Sequence, residues 1–234
     1  MEIHKPKSVH SWRELFSEIG IIVVGVLIAL SAEQVVDTIR WNHKVAEAES
    51  AMRSELGRDL AFASGQVAMK DCVAKYLDRL EMAVRNRSPE QLGQLAAMDS
   101  PFSDRLGTRP WLVDSWTAAI SSEIPSHIPR EKLSAYALAF RMITTQRERQ
   151  FVMIDDYADV VGARLLPNLT PEIGYAQLAA LDKLKSNHDL MVRISAAFLG
   201  SVAKRLGIEP DPQIMADQAD DPARCEKQLS ATAH

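Results

Sequence analysis

A run of fourteen uncharged residues, Ile19 to Ala32 (Ile-Gly-Ile-Ile-Val-Val-Gly-Val-Leu-Ile-Ala-Leu-Ser-Ala), constrains this chain more than any other stretch. As helix it is about 21 Å long, short of the roughly 30 Å hydrocarbon core of a bilayer. A spanning helix must therefore reach from Leu15 to Val36, which takes in Glu18 and Glu33. Each carboxylate lies about 11 Å from the midpoint of the run, just inside the hydrocarbon edge. There it reaches headgroups, is protonated, or faces a protein neighbour. Trp12 and Trp41 flank the span at about 43 Å of helix, the spacing of an aromatic belt at both interfaces.

Three readings compete for this segment. It is an uncleaved anchor, a cleaved secretion signal, or a buried helix of a soluble core. Lys5, Lys7 and Arg13 supply the basic start of a signal, and Ala29-Leu30-Ser31 supplies a cleavage site. Glu14 and Glu18 fit a signal badly, and the apolar periodicity continues past the cut through Val35, Val36, Ile39 and Val45. The anchor is the expectation, and the other two readings stay open. Glu18, Gly25, Ala29, Ala32 and Val36 fall within about 60° of one another on a helix. Gly25 and Ala29 form a small-xxx-small pair that lets a second helix approach closely in lipid, so Glu18, Gly25, Ala29 and Ala32 are the expected helix–helix interface. Val23, Val24, Leu27, Ile28 and Leu30, on the other side, suit acyl chains. Three basic residues precede the span, and Arg40 and Lys44 closely follow it. The positive-inside rule then puts the N-terminus in the cytoplasm and the larger domain outside, in the periplasm of a Gram-negative host.

Trp12-Arg13-Glu14-Leu15-Phe16, followed by Glu18-Ile19-Gly20-Ile21-Ile22-Val23-Val24-Gly25-Val26-Leu27-Ile28-Ala29-Leu30, resembles the N-terminus of an uncharacterised family of bacterial single-pass inner-membrane proteins. The match covers roughly 30 residues, with a second echo in Trp116-x-x-Ala119-Ile120 ahead of a helix carrying Leu133 and Tyr136. The resemblance implies an anchor that stays attached, a helical remainder, and a motif that includes the glutamate and the glycines. It implies no activity.

From Glu33 to about Asn86 there is no proline, and Leu56, Leu60, Ala63, Val67, Val73, Leu77, Leu80 and Val84 keep helical spacing. The spanning helix is expected to continue into one long helix. Ser88-Pro89 starts a short helix that runs to about Met98. Asp99 to Pro110 reads as loop, and Trp111 to Ser122 as a short helix. Pro129 to Leu166 reads as a long helix with Phe140, Ile143, Phe151, Ile154 and Tyr157 among its inward residues, while its polar middle, Gln146 to Gln150, is expected to be exposed. After Pro167 and Pro171 a last helix runs to Leu206, where Gly207 stops it. The expected fold is all-α: a transmembrane helix continuing into a long helix, then an antiparallel helical bundle. The expected domains are a cytoplasmic segment 1–14, a span 15–36, a bundle 37–208 and a flexible tail 209–234, the last from Pro210, Pro212 and Pro222 among several acids.

Chemistry is sparse. A net charge of −4 offers no basic face for nucleic acid. His43 with Glu47, and Asp155 with Asp159, share helix faces, but no His-Glu-x-x-His or Glu-x-x-His spacing exists. There is no nucleophile motif and no phosphate-cradling loop, so no catalytic residue, metal or cofactor is expected. Arg141, Arg147 and Arg149 could hold an anion, although a solvated charged face explains them as well. Trp111 and Trp116 either line a small pocket or fill the core. Cys72 and Cys225 are compatible with one bridge, if the domain is exported, or with two free thiols. The functional expectation is a non-catalytic membrane protein whose exported domain binds protein partners as an accessory or scaffolding subunit. Its partners would be lipid and another membrane protein, or a second copy, through the anchor. A small-molecule sensor is the alternative, weakened by the dozen residues that precede the span, and an unfamiliar enzyme comes third.

Overall fold

The computed structural model describes residues 12–97, 110–164 and 170–231. Lys5 and Lys7, most of the expected cytoplasmic segment and the Asp99–Arg109 part of the expected loop lie outside them, as does the Pro167 break. Among the described residues there is no strand. Eight α-helices follow one another: α1 (Trp12–Arg85), α2 (Pro89–Ala97), α3 (Asp114–Ile120), α4 (Arg130–Arg164), α5 (Pro171–Ala197), α6 (Ala203–Leu206), α7 (Pro212–Gln218) and α8 (Asp221–Ala231). A 3-10 turn, Ile124–His127, precedes α4, and a π-helical segment, Phe198–Val202, joins α5 to α6. The chain divides into two compact units, Met1–Glu47 and Ala48–His234.

The second unit is a bundle built on the rest of α1 with α4 and α5. Cross-links between side chains set the directions. Lys132 pairs with Glu49 and Gln146 approaches Gln66, so α1 and α4 run the same way. Lys185 bridges Asp78 and Glu81 while Ser195 bonds Gln66, so α5 runs antiparallel to both. The parallel pair is allowed because residues 86–129 form a long connection between α1 and α4. One apolar cluster joins Leu77, Leu80 and Val84 of α1 to Leu181 and Leu184 of α5, and Met52, Leu56 and Leu60 of α1 and Tyr136, Phe140 and Ile143 of α4 are buried as well.

The inward stripes are steadier than the apolar residues alone indicate. On α4 the buried positions are Tyr136, Ala139, Phe140, Ile143, Gln146, Gln150, Met153 and Val160, and from Tyr136 through Phe140, Ile143, Gln146, Gln150, Met153 and the half-buried Tyr157 to Val160 they recur every three or four residues. The expected exposure of Gln146–Gln150 is corrected in part, since both glutamines are inside. Phe151 and Ile154, expected inside, are exposed. The glutamines hold the phase of the stripe, and Gln146 is hydrogen-bonded inside rather than solvated. His188 and Ser195 on α5 and Gln66 on α1 occupy inward positions in the same way.

The expected flexible tail is also corrected. Pro212 opens α7, where Asp211 Oδ1 accepts from the backbone N–H groups of Gln213 and Ile214, at 2.9 and 3.2 Å. Pro222 lies in the first turn of α8. These prolines start helices instead of preventing them. Cys225 is disulfide-bonded to Cys72 of α1 at a Cα–Cα distance of 6.2 Å, Lys75 pairs with Glu226, and Leu229 is buried. Gly207, at φ +58°, ends α6 as expected, and Arg53 donates to the Leu206 and Gly207 carbonyls at 2.8 and 2.6 Å, satisfying acceptors that the helix leaves open.

Candidate functional site

In the first unit, α1 is long and apolar enough to cross a membrane, and none of its apolar window is buried within the chain. The large apolar side chains from Ile19 to Ile39 are exposed. Each would gain about 2 kcal/mol by leaving water, so this surface calls for lipid or protein around it. Glu18, Gly25, Ala29 and Ala32 are all exposed, and a Cβ built on Gly25 meets nothing within 4 Å. The two hydroxyl residues of the stretch are satisfied internally. Ser31 Oγ donates to the Leu27 carbonyl at 2.7 Å and Thr38 Oγ1 to the Gln34 carbonyl at 2.8 Å, so neither exposes an unmet donor. Trp12 stands beside Phe16 with ring centroids 6.3 Å apart, and the Lys44 ammonium lies 4.6 Å from the Trp41 ring centre. An apolar ring carrying a polar or cationic edge suits the boundary between hydrocarbon and water.

In the second unit Trp111 is buried and Trp116 is half-buried. Trp111 is buried edge-on to Phe62 at 6.2 Å, and Trp116 stacks on Phe140 at 5.4 Å with the rings 10° apart. Neither lines the two cavities described here. One, of about 730 Å³, is bounded by Pro129, Glu131, Lys132, Ser134, Arg205 and Leu206. The other, of about 280 Å³, lies between α1 and α5 beside Asp71, Asp78, Lys185 and His188. Burial pushes His188 down to about 4, which keeps its imidazole neutral. Burial opposes the charge on Lys185, but its hydrogen bonds to Asp78 and Glu81 outweigh this and hold it above the usual lysine range. Glu81, bonded first by Lys185 and then by Arg85, lies below the usual carboxylate range.

Sequence reasoning missed a pair of buried acids. Glu55 and Asp59, one turn apart on α1, are 5% and 0% exposed. Glu55 Oε2 accepts from the Ser115 backbone N–H at 3.0 Å, and Asp59 Oδ1 from that of Leu112 at 3.3 Å. The i, i+4 spacing of two acids was visible, but nothing local distinguished them from a solvated face. Among the described residues no group of three His, Cys, Asp or Glu side chains is arranged to hold a metal, and neither His43 with Glu47 nor Asp155 with Asp159 gains a third ligand. Arg149 of the arginine cluster donates to Asn187 Oδ1 at 3.3 Å. Comparison with protein-family models, curated proteins and solved structures gives no match to this chain.

Proposed function

We propose that this chain is a non-catalytic, single-pass membrane protein of the bacterial inner membrane, with its N-terminus in the cytoplasm. Its helical domain lies in the periplasm and binds protein partners as an accessory or scaffolding subunit. The observation that carries the reading is the uncovered apolar stretch of α1, with acids near both ends and a face of small residues. The disulfide between Cys72 and Cys225 supports an exported domain, because such bonds persist in oxidising compartments and are rare in the cytosol. Glu18 beside Gly25, Ala29 and Ala32 supports association within the membrane. A helix can come close along that face, and a carboxyl group facing it gains a polar neighbour in place of hydrocarbon.

The test is recovery of the full chain from membranes in mild detergent, followed by crosslinking and native mass measurement. The expected result is a complex, with a second protein or a second copy, that Gly25→Leu weakens at least tenfold by obstructing helix approach. A free monomer, with no effect of Gly25→Leu, would overturn the reading. The cavity of about 730 Å³ beside Lys132 and Arg205 favours a second reading, a small-molecule sensor. A ligand that raises the melting temperature of the domain would support it.

A further inference from the structure

The segment after Pro110, in the α1–α4 connection, is held against the bundle by an apolar and a polar grip. Its two tryptophans are its apolar grip, on Phe62 and Phe140. Its polar grip consists of the two carboxyl groups of α1 described above. Glu55 Oε1 and Asp59 Oδ2, the oxygens not used on the segment, are buried without a hydrogen-bond partner, and no lysine or arginine is ion-paired to either acid among the described residues. Two ionised carboxylates one turn apart and out of water would repel each other with no counter-charge, so this arrangement favours a protonated partner. The charges that act on Asp59 are Glu55, which opposes its ionisation, and Arg58, exposed on α1, which favours it. Opposite, the segment brings only the exposed Asp114. The residues that α4 buries in this half of the bundle, Tyr136, Ala139, Phe140 and Ile143, carry no charge. Glu209 and Asp211 approach α1 at Gly57, on a different side of the helix.

We propose that Glu55 and Asp59 form a proton-dependent clasp on the segment from Trp111 to Ile120, closed while Asp59 holds a proton and released as the proton is lost. Release frees the Trp111 and Trp116 rings from Phe62 and Phe140. Burial, chiefly, pushes the Asp59 carboxyl up to about 8 in the closed state, and in the released state it returns to the ordinary range near about 4. The acid's contribution to closure is therefore complete below about pH 4 and is lost as the pH rises through about 8. Between these values each opening releases one proton, so the opening constant rises tenfold per pH unit, and above about 8 it levels off.

Hydrogen exchange of the full chain in detergent, read by mass spectrometry from pH 5 to 9 and corrected for intrinsic exchange, tests this. Peptides covering 111–120 should lose protection tenfold per pH unit up to about pH 8 and then level off. Peptides of α4 and α5 should show no such slope, and Asp59→Asn should flatten the 111–120 profile. The clasp is overturned if wild-type 111–120 has no slope, if Asp59→Asn keeps it, or if α4 and α5 share it, which would mean global unfolding. If Asp59→Asn does not fold, the regional wild-type profile decides by the same criteria.

Discussion

Single polar side chains decide the register of this bundle. The Gln146 side-chain amide uses both of its N–H donors: Nε2 donates to Ser195 Oγ and to the Met191 carbonyl at 2.9 Å, and Ser195 Oγ in turn donates to Gln66 Oε1 at 2.6 Å. Three helices meet in that layer, and a one-residue slip in any of them leaves buried groups unpaired, the role that a lone polar layer has in coiled coils. Gln146→Leu should therefore destabilise the domain by about 2 kcal/mol, since Gln66 and Ser195 lose a partner while staying buried. The triple change Gln66→Leu, Gln146→Leu, Ser195→Ala should fall within about 1 kcal/mol of wild type, because the buried side-chain partners are removed together and the Met191 carbonyl left behind is a backbone group inside α5. Denaturant unfolding of the full chain in detergent distinguishes the two. A triple variant much weaker than the single one would contradict this account of the layer.

At the scale of elements, α8 belongs to the bundle through its bond to α1. The disulfide closes a loop with a sequence separation of 153 residues, for which chain entropy gives about 5 kcal/mol at most. Replacing both cysteines by serine should let a protease cut within 209–231 first, with α4 and α5 still resistant. Equal resistance with and without the bond would show that Leu229 and the Lys75–Glu226 pair suffice. The long helices, their caps and the stop at Gly207 were legible in the sequence because apolar spacing, Ser88-Pro89 and glycine act locally. Inward polar residues were not. Reading only apolar side chains drops Gln146 and Gln150 from the stripe and re-phases α4 onto Phe151 and Ile154, whereas a spacing of three or four residues carried through the glutamines gives the observed phase. The partners that make Gln146 acceptable inside lie 45 to 80 residues away. Glu55, Asp59 and the pairing of Cys72 with Cys225 were out of reach for the same reason, since each depends on a distant segment arriving against α1. The composition of the tail misled because proline marks helix starts as well as breaks.

For the whole molecule, the account turns on the stretch from Leu15 to Val36 remaining in the chain and in the membrane. Its uncovered apolar surface removes the reading in which it is a core helix of this chain, and leaves an anchor or a cleaved signal to be distinguished. A cleaved signal would also export the domain and permit the disulfide, so the bond alone does not separate them. The intact mass of the chain recovered from alkali-washed membranes of expressing cells does. An anchor predicts a membrane-retained chain of 26.0 kDa that keeps Trp12 to Trp41, with Cys72 and Cys225 oxidised. A soluble, shortened chain beginning near Ala32, or a full-length soluble chain with two free thiols, would contradict it.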